Sequence, residues 1–235
     1  MPHDVLEVED LCGGYGSHDV IENVSFSVKA GQVALLVGAN AAGKSTILRG
    51  IMGLLPQVSG TIRYQGQLIS VHTHRLRSLG IAYVPQRRPV FNSMSIRRNL
   101  ELACEHLAIA QRAHETARIL EHFPALFSRL DQLAGTLSGG ERQQLAISCA
   151  LVSRPSLILA DEPTVGVAPA LRPVLLRTLG TIAREGRAAV VLIEHDVANA
   201  AAIADQVIGL RSGRVVVSCP VAEFSNKVKR RIFFE

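Results

Sequence analysis

Eight consecutive residues, Gly38-Ala39-Asn40-Ala41-Ala42-Gly43-Lys44-Ser45, fit the pattern GxxxxGK[ST] in full. Residues of these types at this spacing suit the binding of phosphate. The glycines permit backbone turns that a Cβ obstructs, so successive N–H groups can point into one concavity. A helix starting at Lys44 adds the partial positive charge of its N-terminus to that concavity. Lys44 brings a full positive charge to the outer phosphates. The Ser45 hydroxyl is a ligand for Mg²⁺, and Thr46 is positioned to support an inner phosphate. Downstream, Asp161-Glu162 follows the apolar run 157–160. A carboxylate at the C-terminal end of a buried parallel strand can meet Mg²⁺ at the phosphate loop of a neighbouring strand. Glu162 is then available to orient or deprotonate an attacking water. Together the two segments predict that the chain binds and hydrolyses a Mg-nucleotide.

A third segment, Leu137-Ser138-Gly139-Gly140-Glu141-Arg142-Gln143-Gln144, has the form of a helix start. Ser138 is an N-cap, and Glu141 three residues on completes a capping box. The N–H groups of Gly139 and Gly140 make a second anion site.

These segments need a frame. The early chain alternates as sheet does, at Val5-Leu6-Glu7-Val8 and again over 20–28. The run 33–37 is wholly apolar, as expected of a strand buried on both faces, and leads directly into the phosphate loop. Residues 44–52 read as a helix ending near Gly53, and a β-rich patch with a turn at Gln65-Gly66 follows. From about Ser93 to Ser153 the pattern is helical. The segments 157–160, 188–193, 207–210 and 215–217 read as further strands. Strand–helix–strand alternation predicts a parallel sheet with right-handed crossovers, interrupted by the helical stretch 89–153.

The bulk properties fit one α/β domain. Hydrophobic residues are 48% and charged residues 19% of the 235, ample for a core and too apolar for disorder. The net charge of +5 suits a nucleotide or an anionic surface without singling out either. The four cysteines, Cys12, Cys104, Cys149 and Cys219, lack metal-ligand spacing and predict a reduced, cytosolic protein. The opening MPHDVLEVED predicts no secretory leader, and no run approaches the ~20 apolar residues that span a bilayer. His72-x-His74 lacks further ligands and is read as loop. The basic cluster at residues 227–231 is read as a solvated helix face.

The LSGGE at 137–141, preceding LILADEP at 157–163, resembles the signature of the ATP-binding cassette (ABC) ATPases. The resemblance covers nearly the whole chain. It implies a P-loop (RecA-like) parallel-sheet core with an N-terminal antiparallel β subdomain, over residues 1–88 and 154–235, and an inserted α-helical subdomain at 89–153. Tyr15 matches the aromatic that stacks on adenine, with a core or turn tyrosine as its rival reading. Gln86, in Tyr83-Val84-Pro85-Gln86, matches the glutamine that contacts Mg²⁺ and the attacking water. His195, in Glu194-His195-Asp196, matches the switch histidine that reaches the γ-phosphate.

The resemblance also implies a head-to-tail dimer. One subunit offers Lys44, Ser45, Gln86, Asp161, Glu162 and His195. The other offers Ser138, Gly139 and Gly140 to the same γ-phosphate. Ala168 stands where many cassettes carry Asp, which removes a carboxylate from that interface. The GVAP at 166–169 is similar to the ATPases of branched-chain amino acid uptake. Ser148-Cys149, where an Arg is common, and His195, where this branch often carries Gln, depart from it. The implied partners are a second ATPase subunit, membrane permease subunits docking near 86–100 and an extracytoplasmic substrate-binding protein, with no nucleic acid. The implied place is the cytoplasmic side of the cell membrane. A urea or amide importer and an exporter share these motifs. A soluble ABC ATPase acting on DNA or ribosomes is the more distant reading, because the chain has neither coiled-coil arms nor a second cassette.

Overall fold

The computed structural model describes residues 4–16, 18–70, 76–87, 89–186 and 188–234; His72-x-His74 lies outside them. Alternation in the early chain produces an antiparallel sheet. Its strands are β1 (Asp4–Gly14), β2 (Asp19–Lys29), β4 (Gln57–Tyr64) and β5 (Gln67–Leu68), in the order β2-β1-β4-β5.

The wholly apolar runs form a second sheet. Its strands are β3 (Val33–Gly38), β6 (Ile81–Val84), β7 (Leu157–Asp161), β8 (Ala189–Ile193), β9 (Gln206–Arg211) and β10 (Arg214–Pro220), in the order β10-β9-β3-β8-β7-β6. All neighbours in it are parallel except the edge pair β9/β10. Its apolar runs are continuous because both faces are covered. Val33, Leu35 and Val37 of β3 pack into one core, and Ala34 and Leu36 into the other. β8 divides in the same way, with Val190 and Leu192 on one side and Val191 and Ile193 on the other.

One core joins the parallel sheet to β1, β2 and helix α1 (Lys44–Ile51). The other joins it to α2 (Ile96–Ala103), α3 (Ile109–Leu120), α4 (Pro124–Phe127), α5 (Gly139–Leu151), α6 (Arg172–Glu185), α7 (Val197–Ala201) and α8 (Asn226–Phe233). Each fully buried Leu, Ile or Val contributes about 1.5–3 kcal/mol to holding these layers together. On α8 the cations at 227 and 229–231 are exposed while Ile232 packs inward, so the basic cluster is a solvated helix face. None of the four cysteines is in a disulfide. Among the described residues no helix is long and apolar enough to cross a membrane.

The strand order corrects one expectation. β7, which ends in Asp161, is not the neighbour of β3, which leads into the phosphate loop; β8 lies between them. Its exit therefore delivers Glu194 and His195 between the loop and the acidic pair. The edge strand β6 is a further element beyond the sequence reading, and it carries the chain to Gln86.

Candidate active site

The loop after β3 is closed to side chains at both glycines. A Cβ on Gly38 would lie 2.4 Å from the Leu210 carbonyl oxygen, and one on Gly43 would lie 2.7 Å from Ile21 Cγ2. Gly43 has φ +101°, a left-handed conformation that L side chains resist. It is the N-cap of α1, yet no side chain caps the helix and its first turn holds no acid. The leading amides of α1 are thus left for an anion.

Lys44 folds back over the loop, its Nζ donating to the carbonyls of Gly38 (2.8 Å) and Ala39 (2.9 Å). Burial lowers its pKa, opposed by the nearby carboxylates of Glu162 and Asp161. In front of it lies a cavity of about 460 Å³ lined by Val20, Asn40, Ala41, Ala42, Gly43, Lys44, Ser45, Thr46, Gln86, Glu162 and His195.

The two acids make different contacts. Asp161 is fully buried, and its Oδ1 accepts the Ser45 hydroxyl at 2.9 Å. Its Oδ2 has no hydrogen-bond partner among the described residues. Burial raises its pKa, partly offset by the Ser45 bond. Glu162 points its carboxylate to the cavity. His195 Nε2 lies 2.9 Å from Oε1, and the Gln86 amide nitrogen donates to Oε2. Lys44, Ser45, Gln86, Asp161, Glu162 and His195 are therefore brought together, from the exits of β6, β7 and β8 and the first turn of α1.

Tyr15 sits just after β1 and is 51% exposed, which excludes the core reading. Its hydroxyl accepts from Arg49 Nη1 at 2.7 Å, and the Arg49 guanidinium carbon stands 5.8 Å from the ring centroid. Sequence reasoning passed over Arg49, whose role here depends on α1 lying against the end of β1. Burial pushes the pKa of the nearby Tyr83 up to about 12.

The signature segment stands apart from this cavity. Ser138, Gly139 and Gly140 are absent from its lining. Ser138 Oγ accepts the Glu141 N–H at 3.3 Å, and Glu141 Oε2 accepts the Ser138 N–H at 2.9 Å. Arg129 bonds the other Glu141 oxygen, and these contacts pull the Glu141 pKa down to about 2. The start of α5 packs on the loop that follows Glu162. A Cβ on Gly139 would lie 2.6 Å from the Gly166 carbonyl oxygen, and Gln143 Nε2 donates to the Val165 carbonyl at 3.3 Å. That loop also contains Ala168, so it brings no carboxylate at this position.

A parallel sheet, an uncapped helix behind a glycine-bounded loop, and a buried acid against its serine define a P-loop nucleotide hydrolase. The family profile described as ABC transporter matches residues 21–165, and the chain belongs to that family, whose ATP-binding domains are the ATPases of transporters. It is 38% identical over 214 residues to the high-affinity branched-chain amino acid transport ATP-binding protein BraG of Pseudomonas aeruginosa, covering 91% of each chain. It is 31% identical over 218 residues to the Nod factor export ATP-binding protein I of Ralstonia nicotianae, covering 90% of this chain and 66% of that one. Among solved structures, the ATP-binding subunit of an ABC transporter superposes with a TM-score of 0.84 at 30% identity, over 97% of this chain and 94% of that one.

Proposed function

We infer that the chain is the energy-coupling ATPase subunit of a membrane importer, of the branched-chain or other hydrophobic amino acid type. In this reading it hydrolyses Mg-ATP in a site that a second ATPase subunit completes. The observation that carries the hydrolytic part is the position of Glu162, held between Gln86 and His195 at the mouth of the loop that holds Lys44.

The residues fit Mg²⁺. A buried carboxylate oxygen without a partner, next to one that already holds a hydroxyl, is what a hard cation with oxygen ligands would use. Ser45, Asp161 and the Gln86 carbonyl oxygen would hold it. Bound there, the ion neutralises charge on the phosphate oxygens.

The chain's own residues do the rest. Residues 38–46 bind the phosphates through backbone N–H groups and the Thr46 hydroxyl. Lys44 exchanges its two carbonyl partners for phosphate oxygens. Glu162 accepts the proton of the attacking water, while the terminal phosphoryl group leaves the bridging oxygen. His195 and Gln86 fix the direction of that carboxylate. Tyr15 stacks on the adenine face. The signature donors Ser138, Gly139 and Gly140 lie outside their own chain's cavity, which supports the reading that a partner subunit's copies close over it.

The same reading sets the chain on the cytoplasmic face of the membrane, attached to permease subunits and served by an extracytoplasmic binding protein. It is supported by the 38% identity to a branched-chain amino acid transport ATPase. An exporter is the second reading, favoured by the match to an export ATPase and by His195.

Glu162→Gln is expected to keep ATP binding, lower turnover by at least about a hundredfold and accumulate an ATP-dependent dimer. Turnover at the parent's rate would remove Glu162 from the proposed role. Reconstitution with the membrane partners separates the two transport readings. ATPase activity stimulated by an amino-acid-loaded binding protein supports import, and activity indifferent to any such protein supports export.

A further inference from the structure

Glu194 lies between the end of β8 and His195, and none of the roles above uses it. Its side chain is 5% exposed. Oε1 accepts the backbone N–H of Thr164 at 2.9 Å. Burial raises its pKa, and the neighbouring charge of Glu162 adds to the rise. A buried acid is costly unless it is hydrogen-bonded or paired.

Opposite it, the backbone of Glu162 adopts φ 50°, in the left-handed region that non-glycine residues seldom occupy. Such a conformation persists only where its surroundings over-determine it. Two bonds do so. The Glu162 N–H donates to the Ile193 carbonyl at 2.9 Å, and the Thr164 N–H donates to Glu194. Pro163 between them has no N–H to give. Residues 162–164 are thus laced to the exit of β8 at every position able to donate.

We propose that Glu194 is a positioning residue for ATP hydrolysis: as a fixed acceptor for the Thr164 N–H, it holds Glu162 in its left-handed conformation, with the carboxylate between Gln86 and His195. The same bond anchors the start of the loop on which α5 rests, through Gly139 at Gly166 and Gln143 at Val165. One side chain thereby sets the geometry of the water-activating carboxylate and of the seat of the signature segment. The inference rests on the role of Glu162 given above.

The test compares Glu194→Gln, which keeps an acceptor oxygen at the same reach, with Glu194→Asp, which is one methylene short. Both are made in the 235-residue chain, with Glu162→Gln alongside. ATP-binding sites per subunit, KM and kcat per binding site are measured for each. The Gln variant is expected within about twofold of the parent's kcat per site. The Asp variant is expected to lose about tenfold or more in kcat with KM changed by less than about twofold. A parental kcat per site in the Asp variant overturns the proposal. So does a Gln variant as impaired as the Asp variant, or a loss of turnover that only follows the loss of binding sites. Parental turnover in Glu162→Gln removes the underlying role and the proposal with it. An inactive Glu162→Gln beside a fully active Asp variant removes the proposal alone.

Discussion

Two helices begin with glycine-rich segments, and they solve the same problem in opposite ways. Every helix start leaves amides without intrahelical partners. At α1 no side chain among the described residues caps them: the N-cap is Gly43, and no acid sits in the first turn. At α5 the reciprocal bonds of Ser138 and Glu141 complete a capping box, and Arg129 secures the glutamate. The first helix start leaves its amides open to a ligand. The second is stable alone and presents its Gly139 and Gly140 amides as an already formed surface. That difference fits the proposed roles, a binding loop at one helix and a rigid donor to another subunit's phosphate at the other.

The contrast has consequences of graded size. Gly43→Ala forces a left-handed φ and a 2.7 Å approach to Ile21 on a side chain. It is expected to cost about 2 kcal/mol and to weaken ATP binding, read by thermal unfolding and nucleotide titration. At α5 the two glycines should separate. Gly139→Ala places a Cβ 2.6 Å from the Gly166 carbonyl and is expected to cost about 1–3 kcal/mol. Gly140→Ala meets only Val167 at 3.9 Å and is expected to match the parent or exceed it by up to about 1 kcal/mol.

The effect on the cap depends on pH. Glu141 has a folded pKa of about 2 against an ordinary 4.5. Its depressed value means that its contribution is fully present above 4.5 and is lost as pH falls through that window. The stability difference between the parent and Glu141→Gln is therefore expected to shrink from pH 5 toward pH 2. A difference constant across that range would remove the charge of Glu141 from the cap.

Much of this was legible in the sequence because it is local. The 38–45 loop, the acidic pair after an apolar run, and the Ser138–Glu141 capping spacing each lie within a few residues, where steric and hydrogen-bonding rules act directly. The order of strands is not local. Nothing in the run 188–193 says that β8 enters between β3 and β7, so Glu194 read only as the residue before His195. Its partner Thr164 is thirty positions away. The pairing of Arg49 with Tyr15, thirty-four positions away, is likewise made only where α1 meets the end of β1. The four-residue β6 was hidden by its length, between Gly80 and Pro85.

The claim that the phosphate loop is half of a site is tested most directly by mixing two inactive chains. Lys44→Ala breaks the loop and leaves the signature intact. Gly140→Asp leaves the loop intact and sets a negative charge where the γ-phosphate of the partner would lie; the helix tolerates an acid in its first turn, and the space is open. Each chain alone is expected to be inactive. An equal mixture is expected to recover about a quarter of the parent's rate, since half the dimers then hold one complete site of two. A mixture as inactive as its components, or a Gly140→Asp chain with the parent's rate, would contradict it.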